Sequence, residues 1–505
     1  MNISLLLEMA VEAVGPRIAV GGAADGISYT ELAARAQATA VWLRGLPGDK
    51  LVFLGLNGTS LPVALFGAAL AGRPFAPVNY RLPNADLRRL IARTAPSAAI
   101  VDDDMLPRVA GIEGVLSIAR SAYEALLLDP ALRGAAPPET DQDVAVQLFT
   151  SGTTGEPKVA LLRHRHLASY VLSSVEFCAA ADDEAALVSV PPYHIAGISA
   201  VLTGTYSGRR IVYLPAFGAD DWVDAAVEEK VTQGMVVPTM LGRILDLLEA
   251  RGETLPDFKA LSYGGGRMPQ PVIERALRLF PHIAFTNAYG LTETSSTVAV
   301  LGPDDHRRAL DADDHLARRR LGSVGKPLPN IELEIRGLDG AVLPHGTAGE
   351  VYVRGDQIAG EYLGRKAIQN DGWFATNDSG WLDEEGYLFI EGRLDDVIVR
   401  GGENISPGEI EDTLRGHAGV KDVAVLGIPD DRWGERVAAV VVPRDPAPSA
   451  AQLADWVKSR LRSTRTPETW EFRSALPYNE TGKLLRRMLK LELTQSPPAV
   501  GIPGS

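Results

Sequence analysis

The sequence predicts an α/β protein. A large N-terminal domain of parallel and mixed sheets flanked by helices carries a β-rich subdomain, and a small α+β C-terminal domain follows. Three observations predict it. Helix and strand signals alternate through the first 150 residues, the pattern of parallel strands covered by helices. After residue 320 the chain breaks into short strand-like runs between Gly, Pro and Asp turns. Beyond Arg393 about a hundred residues carry mixed helix and strand signals, a length that can fold alone. The whole chain, at 505 residues, exceeds what one hydrophobic core supports.

The elements follow in order. Ser28 and Glu31 have capping-box spacing, and Leu32, Ala36, Ala40 and Leu43 then recur at helical intervals. Residues 51–56 read as an apolar strand, 61–71 as a helix and 75–78 as a strand. Asn84 is placed to cap a helix bearing Leu87, Leu90 and Ile91, and 98–101 is the next strand. Residues 110–141, rich in Ala and Pro, read as a loose connection. A hydrophobic strand over 144–149 leads out of it. Later, 331–335, 350–354 and 387–390 are predicted strands. The C-terminal part reads as a helix over 407–414, strands over 423–428 and 436–442, a Pro-rich link over 443–449 and a helix from Ala450. The division is 1–392 (β-rich subdomain about 320–392), then 393–495, with 496–505 expected to be disordered.

Composition narrows the function. A net charge of −14 without a dense Lys/Arg run argues against a nucleic-acid partner. Cys178 is the single cysteine, so no intramolecular disulfide or cysteine metal cluster is expected, and a reducing cytoplasm suits it. The amino end has no basic n-region and carries Glu8 within its apolar stretch, unlike a signal peptide. The apolar window 61–71 stops at Arg73 and Pro74, short of a membrane span. A cytoplasmic enzyme is the expectation.

The densest chemical signal is the run Thr150, Ser151, Gly152, Thr153, Thr154 and Gly155, followed by Lys158. Small residues let the backbone approach an anion, hydroxyls and N–H groups donate to phosphate oxygens, and a lysine adds charge. The run lacks the spacing of the Gly-x4-Gly-Lys-Ser/Thr loop, so it is a different nucleotide grip.

Further blocks keep one order along about two thirds of the chain: Pro191-Pro192-Tyr193-His194, Ala288 to Glu293, Gly372 to Asp378, Gly392 to Asp396, Gly401 to Asn404 and Asn479 to Lys483. With these the chain resembles the adenylate-forming superfamily, in its acyl-CoA ligase branch. The resemblance implies that a carboxylic acid reacts with ATP to give an acyl-adenylate, and that CoA then takes the acyl group as a thioester. Activation is needed because a bare carboxylate would have to expel oxide. Negative acid must also meet negative triphosphate, so cations and N–H donors must screen both.

Roles carried over by the resemblance are these. The loop from Thr150 to Gly155, with Lys158, cradles the β- and γ-phosphates. Tyr289, between Ala288 and Gly290, stacks on adenine near Gly265; Thr292 touches the α-phosphate and Glu293 holds Mg²⁺ against it. Asp378 accepts both ribose hydroxyls and Arg393 reaches the same ribose. Lys483 bridges carboxylate and α-phosphate during adenylation; alone it would read as a solvated lysine near Arg486 and Arg487. The small domain is implied to be mobile, turning about Asp395 so that Gly401, Gly402 and Glu403 come to line the thiol tunnel for CoA. His194, Thr239, Gly264 and Arg267 surround the acyl pocket.

Three positions depart from the family pattern. Val159 stands where glycine is usual; a positive φ there would cost about 1–2 kcal/mol, whereas a negative φ makes valine merely bulkier. Arg267 replaces a small residue or proline, and Asn377 replaces glycine. They motivate a second reading, a ligase that only forms the thioester from an acyl-adenylate made by a partner enzyme. A stand-alone enzyme that loads a carrier protein is a third, and an inactive binding protein of the same fold a fourth.

Overall fold

Alternate residues of the strands Leu51–Leu54 and Ser97–Val101 face opposite ways, and both sets are apolar. Leu51, Phe53, Ala98 and Ile100 enter one buried cluster, Val52, Leu54, Ala99 and Val101 another. A sheet dressed in this way needs cover on both faces, which only a layered α/β arrangement supplies. The computed structural model, which describes residues 1–133, 142–150, 157–478 and 484–495, has that arrangement.

Among the described residues, two large sheets build the N-terminal part. One has eight strands, including Leu51–Leu54, Phe75–Pro77, Ser97–Val101, Val144–Thr150 and Lys158–Arg163. The other has nine, running from Ile27–Ser28 at one edge through Ala260–Gly264 and Ala284–Leu291 to Lys326–Pro327 at the other. The cluster between them takes Val20 from one sheet, Phe53 and Phe75 from the other, and Leu6, Leu43, Phe66 and Ile198 from helices. Trp222, Leu241 and Ile273 cover the outer face of the nine-stranded sheet. A four-stranded antiparallel sheet (Glu332–Arg336, Gly349–Arg354, Phe374–Leu382, Leu388–Arg393) forms the β-rich subdomain. The small C-terminal domain is a five-stranded sheet whose long hairpin, Val420–Asp430 with Gly434–Pro443, packs Val423, Val425 and Val441 against the helices Pro407–Arg415 and Ala450–Lys458.

Local signals explain many boundaries. Ser28 Oγ accepts from Glu31 N at 3.1 Å and caps the helix Tyr29–Arg44. Two expectations need correction. Asn84 is inside the first turn of Asn84–Ala92, after Pro83 at the cap; its side-chain oxygen instead accepts from Arg108 Nε at 2.7 Å. Residues 110–133 are not a loose connection: Val115–Ala119 pairs in parallel with Ser97–Val101, and the helix Arg120–Leu126 follows. An edge strand with one half-exposed face has little apolar alternation, which hid it. The tail 496–505 lies outside the described residues. No helix among the described residues is long and apolar enough to cross a membrane.

Phe66 is fully buried between the two large sheets. Phe66→Ala should cost about 3–5 kcal/mol, read as a lower urea midpoint. Phe472→Ala, at a residue 42% exposed, should leave the midpoint nearly unchanged.

Candidate active site

The site begins with a hairpin. Val144–Thr150 and Lys158–Arg163 pair antiparallel with Thr150 opposite Lys158, so the register puts the lysine at the mouth of the intervening loop. Ser151, Gly152, Thr153, Thr154 and Gly155 lie outside the described residues. Lys158 Nζ sits over the Tyr362 ring, 5.6 Å from its centroid. Val159 is an extended strand residue opposite Phe149, and its carbonyl accepts from Leu363 N at 2.9 Å. Valine is therefore unstrained there, and the backbone penalty considered for it does not arise.

The second wall is the end of Ala284–Leu291. Gly264 pairs with Ala288 in parallel register, and Gly265 follows at φ +76°. The chain shifts register between Tyr289 and Gly290 as it meets Ser296–Leu301. A Cβ on Gly290 would come within 1.8 Å of the Ser296 carbonyl oxygen, so no other residue fits this approach. Thr292 and Glu293 then form a short 3-10 turn. The Glu293 carbonyl accepts from Ala359 N and Gly360 N at 2.9 Å each, and its carboxylate oxygen Oε1 accepts from the Tyr362 hydroxyl. Tyr362 thus links Lys158 to Glu293. Burial and then Glu293 push its phenol upward, so it stays a donor. Nothing in the sequence around Tyr362 marked it.

The third wall is a bulge. Glu350 pairs with Ser379 and Tyr352 with Ala375, so Val351 alone faces Thr376, Asn377 and Asp378. Asn377 takes φ +61°, the left-handed conformation that glycine or asparagine adopts most readily. The bulge turns Asp378, 5% exposed, against two donors. Tyr289 OH reaches Oδ2 at 2.6 Å, and Arg393 Nη1 reaches Oδ1 at 3.1 Å from the facing strand, where Arg393 pairs directly opposite Asp378. Burial, then Asp378, hold the Tyr289 phenol well above its ordinary range. Burial works against the Arg393 charge, but Asp378 outweighs it and the guanidinium is held more firmly charged.

A cavity of about 290 Å³ is lined among others by Tyr80, Arg81, Pro191, Thr239, Arg243 and Tyr478. Arg243 follows Thr239 by one turn of the helix Pro238–Arg251, a spacing that could have marked it, and lies over the Phe217 ring. His194, at the N-cap of Ile195–Tyr206, makes a tilted ring contact with Tyr193, which packs edge-on against Tyr80. Arg267 goes elsewhere: its guanidinium pairs with Asp412 of the C-terminal domain. Tyr478 belongs to that domain too, where its hydroxyl donates to Asp422 Oδ2 at 2.7 Å. It pairs with Leu484 across residues 479–483, which include Lys483 and lie outside the described residues.

Gly401 (φ +58°) and Gly402 (φ +84°) connect Ile398–Arg400 to Glu403–Ile405, with Arg400 opposite Glu403. Two successive positive φ angles make the two-residue turn that a tight hairpin requires. Both glycines are exposed in this arrangement. Asp395 lies in the short turn Leu394–Asp396 that leads into the small domain, and its Oδ2 accepts from Asn377 Nδ2 at 2.9 Å.

Val159→Gly should lower thermal stability by removing a side chain only 7% exposed, and should not raise turnover. A melting curve and a steady-state assay on the same preparation check this; higher turnover would reveal strain the extended strand does not have.

Comparison with known proteins agrees with the geometry. The AMP-binding enzyme family model matches residues 7–363, and the AMP-binding enzyme C-terminal domain matches 409–483. A feruloyl-CoA synthase from Amycolatopsis sp is 34% identical over 478 residues, 92% of this chain and 93% of that protein. The long-chain-fatty-acid–CoA ligase FadD13 of Mycobacterium tuberculosis is 30% identical over 492 residues, 94% of each. Among solved structures, ATP-bound MatB from Rhodopseudomonas palustris superposes with a TM-score of 0.87 at 28% identity, covering 98% of this chain and 99% of that one. The Bacillus subtilis o-succinylbenzoate CoA synthetase in complex with its acyl-adenylate gives 0.81 at 28%, covering 96% and 97%. The chain belongs to the AMP-binding enzyme family, in its branch of AMP-forming acid–thiol ligases.

Proposed function

We propose that the protein joins a carboxylic acid to CoA in two steps at one site, with the C-terminal domain turning between them. One observation carries the reading: Tyr478, of the same domain as Lys483, lines one cavity together with Thr239 and Pro191 of the N-terminal part. In the first step a carboxylate oxygen attacks the α-phosphorus of ATP. The acyl–phosphate bond forms, the bond to the β-phosphate bridge breaks, and pyrophosphate leaves. In the second, the CoA thiol gives up its proton to solvent, its sulfur attacks the acyl carbon, the C–S bond forms, the acyl C–O bond to the phosphate breaks, and AMP departs.

The residues divide this work. Asp378 receives the ribose hydroxyls on a carboxylate held by Tyr289 and Arg393. Tyr289 presents its ring to adenine while its hydroxyl stays on Asp378. Lys158 and the loop from Thr150 to Gly155 take the terminal phosphates. Glu293 has one oxygen on Tyr362 and offers the other to Mg²⁺, which would neutralise triphosphate charge when bound. Thr292 stands beside it toward the α-phosphate, and Lys483 places its ammonium between carboxylate and α-phosphate as charge shifts. For the second step, rotation about Asp395, at the 392/393 boundary, withdraws Lys483 and presents Gly401, Gly402 and Glu403 to the thiol. A cytoplasmic setting suits the single thiol, Cys178.

The motives for a thioesterification-only enzyme with a separate adenylating partner weaken on these grounds. Val159 is extended, Asn377 adopts the glycine-like conformation, and Arg267 is turned away from the cavity. A volume of about 290 Å³ is at the small end of ligand sites, and Arg81 and Arg243 are among its lining residues. Both features favour a short acid with a polar or anionic far end over a long alkyl chain.

Three measurements test this. Lys483→Ala should cut pyrophosphate exchange about 100-fold or more while sparing thioester formation from synthetic acyl-adenylate; equal losses would overturn the two-arrangement reading. Asp378→Ala should raise KM for ATP at least about tenfold, with KM for CoA little changed. In an acid panel scored by mass spectrometry, short polar acids should outpace long-chain fatty acids, and Arg243→Ala should shrink that preference.

A further inference from the structure

Two of the three departures from the family pattern meet the C-terminal domain. Arg267 lies in the loop that follows Ala260–Gly264, and its guanidinium pairs with Asp412 on the helix Pro407–Arg415. The same guanidinium lies against the backbone of Gly408, where a Cβ would come within 2.6 Å of Nη1. That helix is packed closely on the strand Leu388–Arg393: a Cβ on Gly408 would also be 2.6 Å from the Glu391 carbonyl oxygen, which accepts from Ser406 Oγ at 3.1 Å. Asn377 keeps a glycine-like φ of +61°, its N–H is fixed by Glu350 Oε1 at 3.2 Å, and its side-chain amide holds Asp395 at 2.9 Å. Glycine could supply that backbone but no amide. A small residue or proline at 267 could supply that loop but no partner for Asp412.

We infer that Arg267 and Asn377 are positioning residues that hold the C-terminal domain in the arrangement seen here, which serves adenylation, and so set the balance between the two half-reactions. The Arg267–Asp412 pair crosses from the large part of the chain to a helix that must turn, and the Asn377 amide holds the pivot residue Asp395 itself, so both resist rotation about Asp395. The arrangement they secure is the one in which Tyr478 borders the cavity with Thr239 and Arg243. Neither contact touches the reacting atoms. Each is half-exposed, so each biases the equilibrium instead of locking it; an exposed ion pair of this kind is worth about two- to fivefold in population.

This rests on the two-step reading above, and the experiment separates the two. On the full-length enzyme, pyrophosphate exchange and thioester formation from synthetic acyl-adenylate are measured for wild type, Asp412→Ala, Asn377→Gly and the swap Arg267→Asp/Asp412→Arg. Asp412→Ala and Asn377→Gly should each lower the exchange-to-thioesterification ratio about two- to fivefold, with thioesterification equal to wild type or faster. The charge swap should bring the ratio back toward wild type. A ratio that stays constant, or half-reactions that fall together, would overturn the positioning role, as would a swap no better than Asp412→Ala. If wild type performs neither half-reaction with any acid or adenylate, the proposed function itself fails.

Discussion

The candidate site depends on one buried carboxylate. Asp378 is 5% exposed, and a charge so placed persists only with partners in good geometry. Tyr289 and Arg393 supply them, and they come from different sheets: Tyr289 from the nine-stranded sheet, Arg393 from the four-stranded one. One carboxylate therefore fastens the β-rich subdomain to the nine-stranded sheet and fixes the Tyr289 ring. Removing either partner would leave the remaining charge under-compensated, so binding chemistry and subdomain placement are the same interaction.

A second tie runs through Tyr362. Its hydroxyl holds the Glu293 carboxylate, its ring lies under Lys158, and its backbone pairs with Ala160 of the eight-stranded sheet. Lys158 starts a strand of the eight-stranded sheet and Glu293 sits in the 3-10 turn after the strand Ala284–Leu291 of the nine-stranded one, and this tyrosine gives them a common reference. Rigid strands on both sides keep the two groups in place without a ligand, so little reorganisation is left for the moment of reaction.

The C-terminal domain is attached differently. It has its own core, with Val423, Val425, Leu453 and Trp470 buried within it. The contacts it makes through Asp412, Asp395 and Ser406 are polar and local. A domain with a private core and a polar seam can turn without unfolding, which suits a residue set divided between two steps.

The sequence alone determined the α/β class, the order of the blocks and the chemical identity of most site residues. These live in short runs, where period-two or helical spacing and a cluster of Gly, Ser and Thr carry their own physical meaning. Residues 110–133 escaped because an edge strand with a half-exposed face leaves a faint pattern. Only the tertiary structure decided that Arg393 stands opposite Asp378, that Tyr362 joins Lys158 to Glu293, and that Arg267 pairs with Asp412. The reason is physical. Alternation tells which face of a strand is buried but not which strand lies beside it or in what register. Contacts between residues far apart in the chain are set when whole layers pack, and no local run encodes them.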